Sequence, residues 1–156
     1  MTIDDFSQWL SAGAASQFIQ VTPGIIPALQ TVHILCVAVL FAAALMVDLR
    51  ILGSGLRDEP LRAVADRFIP SIWRCIPVLL ATGALLIVAE PARTLTNPSF
   101  FLKLCALAAA IAVTLALQAF ARGSSRVGAL QVAGAFASLL LWATVIVAGR
   151  YIAYVS

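Results

Sequence analysis

Four long apolar segments constrain this chain more than any other feature of its sequence. They cover residues 24–47, 69–89, 98–120 and 127–149. A helix needs about 20 apolar residues to cross the roughly 30 Å hydrocarbon core of a bilayer, so each segment is long enough for one span. Only helices and closed barrels satisfy every backbone polar group in lipid. The pattern therefore predicts an all-α integral membrane protein built as a four-helix antiparallel bundle.

The composition supports a single membrane domain over residues 1–156. Hydrophobic residues make up 62% of the chain and charged residues only 11%, and the mean hydropathy is +1.03. Soluble domains carry about twice that charged fraction. The net charge of +3 is small and its arginines are scattered between the spans. This distribution argues against nucleic-acid binding and identifies the lipid bilayer as the chain's surroundings.

The first twenty residues differ from the spans. Two acids, Asp4 and Asp5, stand where a cleavable signal peptide would be basic. Apolar residues recur at helical spacing, and two aromatic residues flank that stripe. The stripe is Ile3, Phe6, Leu10 and Ala14, and the flanking residues are Trp9 and Phe18. This spacing predicts an amphipathic helix over residues 1–20 that lies in the membrane interface.

The arginines predict the orientation. One side of the predicted bundle carries seven of them and the other side carries three basic residues. The seven are Arg50, Arg57, Arg62, Arg67, Arg74, Arg122 and Arg126, and the three are Arg93, Lys103 and Arg150. The positive-inside rule then places the arginine-rich side in the cytoplasm. We expect a multi-pass protein of the bacterial inner membrane with both termini on the periplasmic side.

His33, the only histidine of the chain, lies inside the first span. Ionisable residues within spans are costly, and so they are candidates for function. The predicted outer half of the bundle brings His33 to about the same depth as Lys103. Arg93 lies near the same side, and Gln30 precedes His33 by one turn. These four residues form the candidate site.

The sequence leaves several roles open for His33. It can be a buried neutral side chain that is hydrogen-bonded to Gln30 or to a carbonyl. It can be the axial ligand of a haem, since neutral imidazole is a common haem ligand and bundles build cofactor sites from inward side chains. A copper site would combine it with Cys36, Met46 or Cys105. A proton relay or a pore is a further alternative.

A second polar group lies at the predicted cytoplasmic end of the first span. Asp48 ends the apolar run and is followed by Arg50, and the next span contains Arg74. Arginines at span ends reach toward lipid headgroups. We expect Asp48 to pair with one of these two arginines and to fix the helix ends.

The order of these motifs resembles a known pattern. A histidine segment, TVHILCVAVLFAAALMVDLRILG, leads to an Asp-Leu-Arg run over residues 48–53, and NPSFFLKLCALAAAI then brings a lysine near the start of the third span. Over residues 5–120 the chain resembles an uncharacterised family of small bacterial four-helix membrane proteins. It is more distantly similar to HemJ-type protoporphyrinogen oxidase and to the copper-resistance D membrane domain. The HemJ resemblance implies roles in haem binding for His33 and Lys103. Further histidines that are often seen in that family are absent here.

Three functions follow as expectations. The first is a membrane protein that binds haem b and has a redox role, with His33 as the metal ligand and Lys103, Arg93 and Gln30 around the cofactor. The second is a non-catalytic accessory subunit of a larger membrane complex or a homo-oligomeric channel. The third is copper handling. Whether the chain is an enzyme is left open by its sequence.

Overall fold

The computed structural model describes residues 2–123 and 126–154, and this part of the chain is helical with no strands. The helices are α1 (Ile3–Ser11), α2 (Ala14–Val21), α3 (Ile25–Ile51), α4 (Leu61–Ala89), α5 (Pro91–Leu95), α6 (Pro98–Gly123) and α7 (Ala129–Tyr154). Four of these, α3, α4, α6 and α7, are long and apolar enough to cross a membrane. The predicted all-α, four-span bundle is therefore confirmed.

Local sequence explains where the long helices begin and end. Gly24 precedes α3 with a φ of 91°, and Gly53 follows its end with a φ of 68°. Both values lie in the left-handed region that glycine adopts without a steric penalty. Pro98 begins α6, and the Asn97 side chain accepts a hydrogen bond from the Ser99 backbone N–H at 2.9 Å. Asn97 thus satisfies one of the free N–H groups of the first turn.

The second span is longer than predicted. The sequence predicts this span over residues 69–89, and the mixed charge of the connector before it predicts a short surface helix that starts near Pro60. The two are one helix, because α4 begins after Pro60 and continues through Pro70 and Pro77. Proline inside a span is tolerated where neighbouring groups satisfy the freed carbonyls. The charged first turns of α4 thus extend the span beyond its apolar core.

The N-terminal segment forms two helices, which corrects the prediction of one helix over residues 1–20. The break falls at Gly13, which caps α2 with an extended backbone. A glycine inside a helix costs about 1 kcal/mol relative to alanine, and here it ends the first helix. Residue 1 lies outside the described residues.

The two short helices turn small polar side chains toward the bundle. Ser7 of α1 and Ser16 of α2 are buried, whereas Trp9 and Phe18 are about two-thirds exposed. Ile19 of α2 is also buried, but most large apolar side chains of the two helices face outward, unlike the core-facing apolar stripe of a helix in a soluble protein. The outward apolar face fits a helix pair whose surroundings are apolar.

The bundle is packed along only half of its length. Helices α3 and α4 form one antiparallel pair, and α6 and α7 form the other. We call the tightly packed part the arginine-rich half and the remainder the histidine half. The first contains residues 40–51, 61–76, 106–123 and 129–145, and the second contains residues 25–39, 77–89, 98–105 and 146–154.

Burial separates these two halves clearly. The core residues lie almost entirely in the arginine-rich half, where Leu40, Val64 and Trp142 are at most 1% exposed. In the histidine half, α3 has no buried residue over positions 25–39. Between Ile72 and Ala89, the only buried residue of α4 is Thr82. The four long helices therefore enclose a core at one end and bury far fewer side chains at the other.

Candidate functional site

The histidine half brings polar side chains from three spans to one depth. His33 lies eight residues after the start of α3, and Thr82 lies seven residues before the end of α4. Lys103 lies five residues after the start of α6. At 1.5 Å per residue these positions are all about 8–12 Å from the nearest helix end. The predicted equal depth of His33 and Lys103 is consistent with this arrangement.

His33 is held by a threonine of the neighbouring helix. Its Nδ1 atom lies 2.8 Å from the hydroxyl oxygen of Thr82. That hydroxyl donates to the carbonyl of Val78 at 2.7 Å. Because a hydroxyl carries one proton, we assign Nδ1–H as the donor and the Thr82 oxygen as the acceptor. The Nε2 atom of a neutral His33 then keeps its lone pair.

This contact replaces the hydrogen bond that the sequence suggested. Gln30 was the expected partner of a structural histidine, but its side chain is exposed. Thr82 was not predicted, because a threonine in an apolar span usually bonds to its own helix, as Thr82 also does. Its position seven residues from the end of α4 was the available signal, since it matches the depth of His33.

Lys103 crosses the α6–α7 interface. The end of its side chain runs over Gly149, and a Cβ atom at that glycine would lie 3.4 Å from the Lys103 Nζ atom. Lys103 is half-buried, as is His33. Glycine also stands beside the histidine, since a Cβ at Gly83 would lie 3.6 Å from the His33 ring. Small residues thus leave space next to both polar side chains.

Arg93 lies apart from this pair. It belongs to the short helix α5, and its Nη1 atom donates to both carboxylate oxygens of Glu90 at 3.0 and 3.2 Å. Arg93 and Glu90 line an open groove of about 430 Å³ with Gln20 of α2. His33 does not line this groove. The structure therefore places His33 and Lys103 at a similar depth, whereas Arg93 lines a separate groove and Gln30 is exposed.

The copper hypothesis meets a geometric limit. His33 and Met46 are thirteen residues apart on the uninterrupted helix α3, which separates them by about 20 Å. They cannot bind one ion, so that part of the predicted copper set is wrong. Cys36 lies nearer, one turn from His33, and is a free, partly buried cysteine. Within the described ranges, no group of three or more His, Cys, Asp or Glu side chains is arranged to hold a metal.

The predicted ion pair of Asp48 is also wrong. In residues 2–123 and 126–154, Asp48 forms no salt bridge, although it is only 2% exposed. Arg50 instead donates from Nε to the backbone carbonyl of Glu59 at 2.7 Å, and Arg74 is exposed. The arginines point away from the core because a guanidinium at a span end reaches water or headgroups at little cost.

Comparisons with known proteins give a family and no relative of known activity. No curated protein and no solved structure matches the chain. A match to DUF6644, a family of unknown function, covers residues 6–155 and so includes every helix of the bundle except the first turn of α1. The chain therefore belongs to DUF6644, a family of unknown function.

Proposed function

We propose that the histidine half of the bundle binds a b-type haem and that the protein has a redox role in the membrane. The observation that supports this most is the state of His33. The Thr82 hydroxyl oxygen accepts a hydrogen bond from Nδ1–H, and this tautomer leaves the Nε2 lone pair available. Metal-binding histidines typically donate their other ring N–H to an oxygen acceptor in this way, which fixes both tautomer and ring orientation.

The surroundings of His33 fit a flat, amphipathic cofactor. Because positions 25–39 of α3 contain no buried residue, the helix surface around the imidazole is only partly covered by the rest of the chain. Apolar residues border it, and the glycines at positions 83 and 149 keep the neighbouring backbone close. Ligand sites in proteins combine such an apolar lining with a few placed polar groups.

Lys103 supplies the second polar group. A haem carries two propionates, and an ammonium at the depth of His33 offers one of them a charge-assisted hydrogen bond. Arg93 already shares its charge with Glu90, and so it is a weaker partner than the sequence suggested. His33 would hold the iron, Lys103 would hold a propionate and Thr82 would orient the imidazole. A bound haem would supply one-electron redox chemistry.

One histidine cannot supply both axial ligands. A haem bound to this chain therefore has another kind of second ligand, an open coordination position, or His33 of a second copy. In a homo-oligomer or a larger membrane redox complex, a partner chain would supply the second ligand.

An absorption spectrum tests the proposal. The protein is purified in mild detergent from a haem-producing bacterial host and is measured oxidised and then dithionite-reduced. We expect a Soret band and α and β bands that sharpen on reduction. His33→Ala should abolish them, and Cys105→Ala, which changes an exposed side chain on α6, should not. A colourless wild-type protein with a helical circular dichroism spectrum, even after haemin is added, would contradict the proposal.

The variant Thr82→Val tests whether Thr82 orients the His33 imidazole without itself binding the iron. Valine keeps the size of the side chain but removes the oxygen that accepts from His33. We expect the haem spectrum to persist with a shifted Soret maximum and weaker haem retention, because the imidazole loses its fixed tautomer. Loss of second-sphere partners typically costs metal sites 10–100-fold in affinity. An unchanged spectrum and affinity would show that Thr82 has no orienting role.

We also propose that both termini face the periplasm of a bacterial inner membrane. The support is the distribution of basic residues, since seven arginines lie on the side that carries the α3–α4 and α6–α7 connections. A reporter enzyme that is active only in the periplasm, fused after the C-terminus, should be active. The same reporter inserted in the α3–α4 connection should be inactive, and the reverse result would invert the topology.

A further inference from the structure

A second polar cluster lies inside the arginine-rich half, away from His33. It surrounds a small cavity of about 10 Å³, which is enough for one particle the size of a water molecule. Four polar side chains line the cavity among apolar ones, and they come from three of the four spans. They are Asp48 of α3, Thr114 and Gln118 of α6, and Ser138 of α7.

Asp48 has an oxygen that no protein group satisfies. Ser138 of α7 lines the cavity together with the Asp48 carboxyl group. The Oδ2 atom, however, is buried and has no hydrogen-bond partner among the described residues. Unsatisfied polar atoms are rare in folded proteins, and each one calls for an explanation such as a missing water or ion.

The neutral side chains of the cluster are held by indoles. Trp73 of α4 donates from Nε1 to the Gln118 amide oxygen at 3.1 Å, and Trp142 of α7 donates to the Thr114 hydroxyl oxygen at 3.4 Å. An amide or hydroxyl oxygen has two lone pairs, so each keeps one after this bond. The two tryptophans thus position oxygens around the cavity without using up their capacity to bind.

The charge of the Asp48 carboxylate favours a cation as the ligand of this cavity. The Asp48 carboxyl is the only ionisable group among the residues that line it. The arginines of the adjacent helix ends point elsewhere: Arg50 bonds to the Glu59 carbonyl, and Arg122 lies 3.9 Å from Asp66. A buried carboxylate needs a counter-charge, and a water molecule alone does not supply one.

We propose that this cavity is a binding site for a single sodium ion, with the Asp48 Oδ2 atom as its charged ligand and oxygens of Ser138, Thr114 and Gln118 as neutral ligands. Hard cations prefer oxygen donors of this kind. Asp48 lies three residues before the end of α3, about 5 Å from it at 1.5 Å per residue, so the ion would enter from the arginine-rich end. The site would join three spans through one ion.

Thermal unfolding in detergent tests the proposal. The full chain is unfolded in increasing NaCl, with choline chloride keeping the ionic strength constant. A ligand that binds only the folded state raises stability with its concentration. We expect the wild-type Tm to rise by a few degrees for each tenfold increase in Na⁺ above the dissociation constant. Choline alone should not raise it.

Matched variants locate the ion. Asp48→Asn keeps the shape of the side chain and removes its charge, and the Na⁺-dependent shift should disappear. Asp58→Asn makes the same change at an exposed position of the α3–α4 connection and should retain the full shift. Ser138→Ala is a second variant in case Asp48→Asn does not fold, and it should weaken the response to Na⁺.

Two results would overturn the proposed sodium site. If the wild-type Tm follows NaCl and choline chloride identically, Asp48 holds only a proton or a hydrated proton, and no sodium site exists. If the Na⁺ shift survives in Asp48→Asn, the ion binds elsewhere. Neither result bears on haem binding, because the Asp48 cavity and His33 lie in different halves of the bundle.

Discussion

The arginine-rich half and the histidine half are built from the same four helices, yet they differ in almost every physical respect. In the first, buried apolar side chains from all four helices pack against one another. In the second, α3 buries no residue over positions 25–39. Apolar composition is similar in both, so hydrophobicity alone does not create a core inside a membrane. Packing does, because lipid tails are as apolar as leucine and helices associate only where their surfaces fit.

The comparison also separates two kinds of polar residue. Asp48 is enclosed by the packed half and meets only neutral side chains at its cavity. His33 and Lys103 stand at the edge of the open half and are each half-buried. An enclosed carboxyl matches the small ion proposed for Asp48, whereas a half-buried imidazole matches the larger ligand proposed for His33. The two proposed sites therefore differ in how far protein side chains cover them.

The largest expected effect tests the packing difference itself. Leu40 is fully buried and Leu35, on the same helix, is 60% exposed. We expect Leu40→Ala to lower the free energy of unfolding by about 2–3 kcal/mol through the cavity it leaves. Leu35→Ala should change it by no more than about 0.5 kcal/mol, as surface substitutions do. Equilibrium unfolding in mixed micelles measures both, and equal losses would abolish the distinction between the halves.

Two glycines provide a finer test. A Cβ at Gly134 would lie 3.1 Å from the Leu117 side chain, whereas at Gly83 it would meet only the His33 ring at 3.6 Å. Alanine favours a helix by about 1 kcal/mol over glycine at either position. Overpacking opposes this gain only at Gly134 and costs about 1–3 kcal/mol. We therefore expect Gly134→Ala to be about 1–2 kcal/mol less stable than Gly83→Ala in the same micelles, and the opposite order would be inconsistent with a tight α6–α7 contact.

A smaller effect is expected where α2 meets the open end. The Gln20 side chain donates to the Ala89 carbonyl at 2.8 Å and so satisfies the end of α4. Gln20→Ala should cost about 1 kcal/mol, the usual net value of one hydrogen bond, and should speed amide exchange in α2. Gln17→Ala is the control, because Gln17 bonds only locally, to Ala12. Equal exchange in both variants would mean that this bond does not hold α2 to the bundle.

The smallest effect concerns the capping box of α1. The backbone N–H and the hydroxyl of Thr2 hold the pKa of the Asp5 carboxyl below its ordinary value of 3.8. A lowered pKa in the folded state means that the stabilisation is present above the ordinary value and is lost as pH falls through the folded value. Amide protection of α1 should therefore drop below about pH 3.8, while that of α3 should not.

Two variants sharpen the prediction for α1. Asp5→Asn should lower its protection already at neutral pH and remove the further loss in acid. Asp4→Asn makes the same charge change in the same turn but leaves the Thr2 contacts in place, so the acid response should remain. If the protection of α1 does not depend on pH in the wild type, the capping box contributes nothing measurable.

The sequence predicted the membrane spans and the depth of the polar residues along them. The four spans were predicted correctly because their apolar length is set by the thickness of the bilayer, a constraint that acts on each segment separately. The equal depth of His33 and Lys103 came from counting residues along helices of regular rise. The sequence did not predict that α4 begins directly after Pro60. The charged residues of its first turns are typical of a separate helix on the surface.

The partners of the polar residues were decided only by tertiary structure. The sequence suggested a hydrogen bond between Gln30 and His33, because the two residues are one turn apart. It also suggested an ion pair between Asp48 and one of two arginines, because their charges are opposite. In the structure His33 instead contacts Thr82, 49 residues away, and Asp48 lines a cavity with Ser138, 90 residues away. Sequence alone determined that this chain spans a membrane as four helices, through the length and polarity of each one. Which faces meet, and therefore which end is a core and which is open, depends on how four separate surfaces fit together, and no single segment encodes that fit.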